Sequence, residues 1–139
     1  MAPPLLFSIA ESPGHPRLSD LYRDLGIEEL RLPSQRKAVQ ALKRGRPDLV
    51  VAEFFYGFGN NYAGANLSNL DVFLASLQKY APAARVIVLA DKAQRPYVDR
   101  LAERFPLHAI LVQPVGARDM EPVLRRALNP KPSEEADTE

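Results

Sequence analysis

Short apolar runs alternate with amphipathic segments along almost the whole chain, and each kind of segment occurs five times. The apolar runs show little polar alternation, which is typical of strands that are buried on both faces, as in parallel sheets. We predict five strands, at residues 5–10, 27–32, 48–52, 85–90 and 109–112.

Between these runs the apolar residues recur at spacings of three and four, which predicts helices. The first stripe lies between Leu18 and Leu25, and Gly26 is placed to end that helix. Ser68, followed three residues later by Asp71, is a candidate cap for the third helix. The helices are expected around residues 18–25, 34–44, 70–77, 98–105 and 120–128.

Five strand–helix units predict an α/β fold with helices on both faces of a parallel sheet. The flavodoxin-like strand order 2-1-3-4-5 is the usual solution for five units. We expect one domain over residues 1–129. The acidic, proline-containing segment 130–139 is expected to be a disordered tail.

Composition narrows the classes of function. The 139 residues carry 18 basic and 17 acidic side chains, a balance that gives no general electrostatic case for nucleic-acid binding. There is no cysteine, which excludes thiol chemistry and disulfides. No apolar stretch approaches the ~20 residues of a membrane span, and the first residues do not resemble a signal peptide. We therefore expect a cytoplasmic protein that contacts neither membrane nor nucleic acid.

Candidate chemistry lies where the predicted strands end, because ligands of such sheets bind at the carboxyl ends of the strands. Glu11 follows the first strand and Glu53 the third. Ala90 and Asp91 stand at the end of the fourth, and Gln113 follows the fifth.

The order of these segments resembles the receiver domains of two-component response regulators. The segments that carry the resemblance run from residue 4 to 129, and the main ones are Leu25-Gly26, Arg46–Glu53, Val86–Ala90 and Leu111–Pro114. In that family the third strand ends in the phosphate-accepting aspartate, the fourth in Thr or Ser, and the fifth in Lys-Pro.

The departures from the family pattern change what the resemblance implies. Glu53 stands at the phosphoacceptor position, Ala90 at the hydroxyl position and Gln113 at the lysine position. Aspartyl phosphorylation needs a carboxylate held in line, a divalent cation, and groups that bind the phosphoryl oxygens. The resemblance therefore implies a degenerate receiver, a pseudo-receiver, with no catalytic residue and no required cofactor.

Glu53 allows three interpretations: a tolerated carboxylate, a fixed mimic of the phosphorylated state, or a Mg²⁺ ligand together with Glu11. We expect no metal site, with Glu11 and Glu53 as the only candidates for a weak one. Neither His15 nor His108 has a metal-ligand neighbour in sequence, and both are expected to be surface or structural residues.

The segment 54–69, after the third strand, is longer than a typical βα connection of about 2–6 residues, and it is rich in aromatic residues. It is either a partner-binding lid or a local cover of the core. By resemblance, the fourth helix and the fifth strand and helix form the signalling face. The candidate partner contacts are Phe54, Phe55, Tyr56, Phe58, Tyr62, Tyr97, Arg100, Arg104 and Arg118.

These observations favour a stand-alone pseudo-receiver that acts by protein–protein interaction, with homodimerisation compatible. One alternative is an atypical receiver that is phosphorylated on Asp91 or Glu53 in a Mg²⁺-dependent way. Another is a flavodoxin-type module that binds a flavin or nucleotide.

Overall fold

The computed structural model describes residues 2–56 and 68–128. Residues 57–67 and 129–139 lie outside the described residues. They include the predicted contacts Phe58 and Tyr62 and the expected tail, 130–139. The strands are β1 (Leu5–Ile9), β2 (Glu28–Leu32), β3 (Leu49–Glu53), β4 (Arg85–Ala90) and β5 (Ala109–Val112). The α-helices are α1 (Ser19–Asp24), α2 (Gln35–Leu42), α3 (Asp71–Tyr80), α4 (Arg95–Arg104) and α5 (Ala117–Leu128).

The five strands form one parallel sheet in the order β2-β1-β3-β4-β5, which confirms the predicted topology. All five residues of β3 are buried, whereas most of β2, at one edge of the sheet, is exposed or half-buried. The continuous apolar run of β3 thus marks a central strand.

Each face of the sheet has its own core. Phe7, Val50 and Val88 pack on one face with residues of α2, α3 and α4. Leu6 and Val51 pack on the other face with residues of α1 and α5. Helices on both faces are what the repeated strand–helix pattern predicted.

Of two local signals in the sequence, Gly26 acts as predicted and Ser68 does not. Gly26 follows α1 with φ of 75°, a left-handed conformation that glycine adopts without steric cost. Before α3, the backbone N–H and the hydroxyl of Ser68 both donate to Asp71 Oδ1, at 2.7 and 2.9 Å. Ser68 and Asp71 therefore pair just before the helix, but the prediction of Ser68 as its cap is wrong, because the N-cap is Leu70 and no side chain makes a capping hydrogen bond there.

Among the described residues, no helix combines the length and apolar character needed to cross a membrane.

Candidate functional site

The carboxyl ends of the parallel strands bring most of the predicted site residues to one edge of the sheet. A shallow cavity of about 350 Å³ opens there. Glu53, Asp91 and Gln113 line it. Ala90, at the end of β4, is fully buried and offers no polar group. The remaining lining residues are Ser12, Gly14, Phe55 and Pro114.

The carboxylate of Glu53 is turned away from solvent and is held by the loop between β1 and α1. Glu53 is only 1% exposed. Its Oε1 atom accepts hydrogen bonds from the backbone N–H groups of Glu11 and Ser12, both at 3.1 Å. Its Oε2 atom accepts from the Ser12 hydroxyl at 2.5 Å. Both carboxylate oxygens are therefore engaged by the protein itself.

His15 lies beside this carboxylate. Its Nδ1 is 3.7 Å from Glu53 Oε1, within ion-pair range but beyond a hydrogen bond, and both side chains are 2% exposed. Its Nε2 is 3.3 Å from the hydroxyl of Ser8 on β1. Of the two expected roles for His15, surface or structural, the structural one applies, because the proline-rich turn folds inward at this position.

Opposing effects act on the pKa of Glu53. Burial alone raises it, but the contacts with His15, with Ser12 and with the Glu11 amide outweigh burial and lower the pKa. Glu53 is consequently ionised at neutral pH, a buried anion stabilised by donors of the β1–α1 loop.

Glu11 is directed toward other partners. Its Oε1 accepts from Gln35 Nε2 and from Asn69 Nδ2, both at 3.0 Å. The same Asn69 amide donates to the main-chain oxygen of Glu53 at 2.9 Å, and Asn69 Oδ1 accepts from the Phe55 N–H at 2.7 Å. Asn69 thus connects the acidic residue after β1 to the end of β3.

Gln113, at the position of the family's lysine, also contacts the β1–α1 loop. Its Nε2 donates to the main-chain oxygen of Gly14 at 3.1 Å. Asp91, by contrast, is exposed on the rim of the cavity. Glu53 and Gln113, which the sequence resemblance aligns with two phosphorylation positions of receiver domains, therefore fasten the same loop.

Ser8, His15 and Glu53 follow one another in the order of a nucleophile, base and acid array. Ser8, however, is 1% exposed and lies within a central strand, so a substrate carbonyl cannot approach its hydroxyl. The geometry supports a structural polar array rather than acyl transfer.

The aromatic residues after β3 have different surroundings. Phe54 is 2% exposed and packs in the core, which corrects its prediction as a partner contact and agrees with the alternative of a core cover. Phe55 is half-buried at the cavity. Tyr56 is 44% exposed and stacks on Tyr97 of α4, with ring centroids 3.9 Å apart and an interplanar angle of 19°.

Of the predicted arginine contacts, Arg100 and Arg104 belong to α4 and Arg118 to α5, two helices that pack on opposite faces of the sheet. Arg100 and Arg118 are exposed. Arg104 is also exposed, but its Nη1 donates to Asp71 Oδ2 at 2.9 Å and so links α4 to the start of α3.

Sequence reasoning missed several members of this network. His15 and Ser12 had one signal, their position in the turn that follows a strand end close to Glu11. Ser8, Gln35 and Asn69 had none, because their contacts depend on segments that only the folded chain brings together.

Comparison with known proteins places the fold. No family model and no curated protein matches the chain. Solved structures do match. A response regulator receiver domain protein from Clostridium thermocellum superposes with a TM-score of 0.68 at 20% identity, covering 92% of this chain and 96% of the other. The fold is that of a receiver domain.

Two further structures agree. The signal receiver domain of an HD domain-containing protein from Pseudomonas fluorescens gives a TM-score of 0.71 at 16% identity, covering 99% of this chain and 95% of that one. The receiver domain of NtrX from Brucella abortus gives 0.69 at 20% identity, with 90% and 98% covered. At these identities the receiver-like architecture is shared, and the chemistry of the site has to be argued from this chain's own residues.

Proposed function

We propose that this protein is a receiver-like signalling module that carries no phosphoryl group and acts through protein–protein contacts in one fixed state. The observation that carries the proposal is the Glu53 carboxylate, which is 1% exposed and accepts three hydrogen bonds from the β1–α1 loop. A phosphoacceptor carboxylate must instead offer an oxygen to the incoming phosphorus.

The arrangement does not fit a Mg²⁺ ion either. Mg²⁺ demands near-octahedral oxygen ligands and keeps several of its waters. Ser12 and the loop N–H groups take up Glu53, while Gln35 and Asn69 take up one oxygen of Glu11. The described residues contain no cluster of three or more acidic or histidine side chains placed for a metal.

The groups that would bind a phosphoryl oxygen are lacking as well. Ala90 has no hydroxyl, and the Gln113 amide donates to Gly14 rather than into the cavity. The loop donors that hydrogen-bond to the Glu53 carboxylate would have to be displaced before a phosphoryl group could enter.

On this proposal the chain is not an enzyme, and it works in the cytoplasm as a partner for other signalling proteins. Its proposed contact residues are Tyr56, Tyr97, Arg100 and Arg118, which lie on or beside α4 and α5. Tyr97 is half-buried under the ring of Tyr56, and the other three side chains are exposed. Aromatic and arginine side chains are the usual anchors of such contacts.

Intact-mass spectrometry tests the proposal. The full chain is incubated with Mg²⁺ and acetyl phosphate, beside a receiver domain with an aspartate at this position as positive control. We expect the control to gain a phosphoryl group and this chain to keep its mass.

One alternative has an observation in its favour. Asp91 is exposed on the cavity rim, so its carboxylate is the accessible acceptor at this edge. A phosphoryl adduct that disappears in D91N but persists in E53Q would establish the atypical receiver and overturn the proposal. An adduct that is lost in E53Q but not in D91N would place the phosphoryl group on Glu53 and would also overturn the proposal.

A further inference from the structure

Ser8, His15 and Glu53 form a buried polar array that the proposed function does not use. Each of the three residues belongs to the buried set, at 1%, 7% and 1% exposure. The array joins β1 to β3 through the β1–α1 loop, with separations of 3.3 Å from Ser8 Oγ to His15 Nε2 and 3.7 Å from His15 Nδ1 to Glu53 Oε1.

The Nδ1 atom of His15 is buried without a hydrogen-bond partner. Buried polar atoms are rarely left in this condition, because the unmade bond costs free energy. The Glu53 carboxylate lies 3.7 Å away, and a charge-assisted bond between them would need a separation of about 2.7–2.9 Å. A small inward movement of the loop would therefore complete the contact.

The strength of that contact depends on the protons of the ring. A neutral ring can direct one N–H toward Glu53 while its other nitrogen accepts from the Ser8 hydroxyl. An imidazolium donates from both nitrogens and adds a positive charge next to the carboxylate. Ser8 suits both states, because a hydroxyl can donate or accept.

We infer that Ser8, His15 and Glu53 form a proton-responsive latch, in which a proton gained by His15 draws the β1–α1 loop onto Glu53. Ser12 and Gly14 of that loop line the strand-end cavity, so the latch sets the position of the cavity wall. The inference rests on the proposed function in one respect, since it takes Glu53 as a permanent acceptor.

The other groups at this edge do not substitute for His15. Besides Glu53 on β3, the charged groups here are Glu11 in the loop, Asp91 after β4, and the exposed Arg17 two residues beyond His15. Gln113 from β5, Gln35 from α2 and Asn69 before α3 are neutral. Among the described residues at this edge, His15 is thus the group that can gain a proton to become a donor from both ring nitrogens.

Hydrogen exchange of single amides in the full chain tests the latch. The Glu11 and Ser12 N–H groups, which donate to Glu53, report the loop, and Val50 and Val51 in β3 report the sheet. Exchange rates are divided by their intrinsic values at about pH 5.5 and 7.5, on either side of the ordinary titration of imidazole. We expect the loop amides to be about tenfold better protected at the lower pH, the effect of one charge-assisted hydrogen bond, with β3 unchanged.

The two histidines of the chain offer a matched pair of variants. H15Q should abolish the pH difference. H108Q should keep it, because His108 faces the main-chain oxygen of Val123 elsewhere in the fold. Equal loop protection at both pH values in the unaltered chain, or an unchanged difference in H15Q, would overturn the latch.

The unaltered chain and H108Q decide the matter even if H15Q fails to fold, since the ring resonances of His15 should then titrate together with the loop amides. A titration of those amides that does not coincide with the ring would also overturn the latch. Such a failure is separable from failure of the proposed function, which is read from the mass after phosphodonor treatment.

Discussion

At the residue scale, Glu53 differs from an aspartate by one methylene, and that length lets its carboxylate reach Ser12 and the Glu11 amide. A buried anion is tolerated only when donors replace its lost water. Here the donors come from a loop more than forty residues away in sequence, at separations of 41 and 42. The charge that could have been reactive instead stabilises the fold.

Replacing Glu53 with glutamine keeps the length of the side chain but removes its charge. We expect E53Q to lower the free energy of unfolding by about 1–3 kcal/mol, because the charge-assisted hydrogen bonds to the loop donors are lost. Urea denaturation measures the change. The exposed E103Q on α4 is the control and should stay within about 0.5 kcal/mol. If E53Q left the free energy of unfolding unchanged, the carboxylate would contribute nothing to stability.

The lowered pKa of Glu53 predicts how this contribution depends on pH. The folded chain holds the pKa of this carboxylate below its ordinary value of 4.5. The unfolded chain therefore binds more protons at acidic pH. The stabilisation is therefore complete above about pH 5 and is lost as the pH falls through the folded pKa. The stability difference between the unaltered chain and E53Q should shrink between about pH 5 and 2. A difference that stays constant or grows as the pH falls below about 5 would contradict the assignment.

At the element scale, the β1–α1 loop is fastened from several sides. Glu53 at the end of β3 and Gln113 after β5 bind it directly, and Glu11 ties it to Gln35 of α2 and to Asn69 before α3. A loop held by this many elements moves as a unit. The latch at His15 would therefore act on Ser12 and Gly14, the part of the cavity wall that the loop provides.

Asn69 connects the β1–α1 loop to the end of β3, so its substitution should weaken the hydrogen bonding of both. It is 9% exposed, and its side chain bonds to Glu11, to the Glu53 oxygen and to the Phe55 amide. We expect N69A to cost about 1–3 kcal/mol, because it leaves buried partners unsatisfied. N69D should cost more, since it places a carboxylate against Glu11.

Thermal or urea unfolding checks both Asn69 variants, with the exposed Q78A on α3 as a control that should be nearly neutral. N69D as stable as the unaltered chain would show that the Glu11 contact is not formed in solution.

The stack of Tyr56 on Tyr97 ties the segment after β3 to α4. We expect a double-mutant cycle with Y56A and Y97A to give a coupling of about 0.5–1.5 kcal/mol, the usual value for an aromatic pair. The phenylalanine variants keep the rings and should behave like the unaltered chain. Additive alanine effects would mean that the rings do not interact in solution.

At the scale of the whole molecule, the fold followed from the sequence because its signals are local. The apolar run of β3 and the helical stripes each lie within one segment, and together they allow few topologies. Glu53, Gln113 and Asp91 could be placed at one edge for the same reason, since parallel strands end together.

The partners of those residues could not be predicted. Whether Glu53 faces the cavity or the loop depends on the path of the turn through Ser12 and His15, which carries no periodic signal. Phe54 was misassigned for a similar reason, because an aromatic residue just after a strand may point either to the core or to solvent. The sequence thus predicted the strand-end residues Glu53, Asp91 and Gln113, whereas their contacts with Ser12, His15 and Asn69 came only from the fold.

The central claim is that the Glu53 carboxylate is permanently held by its own loop. The most direct measurement is the ¹³C NMR signal of the Glu53 carboxyl carbon, assigned by its absence in E53Q, as Mg²⁺ and then acetyl phosphate are added at neutral pH. If the loop holds the carboxylate permanently, we expect this resonance to keep its chemical shift through both additions. A resonance that moves saturably with Mg²⁺, or is replaced by that of an acyl phosphate, would show that the loop releases the carboxylate and would contradict the account.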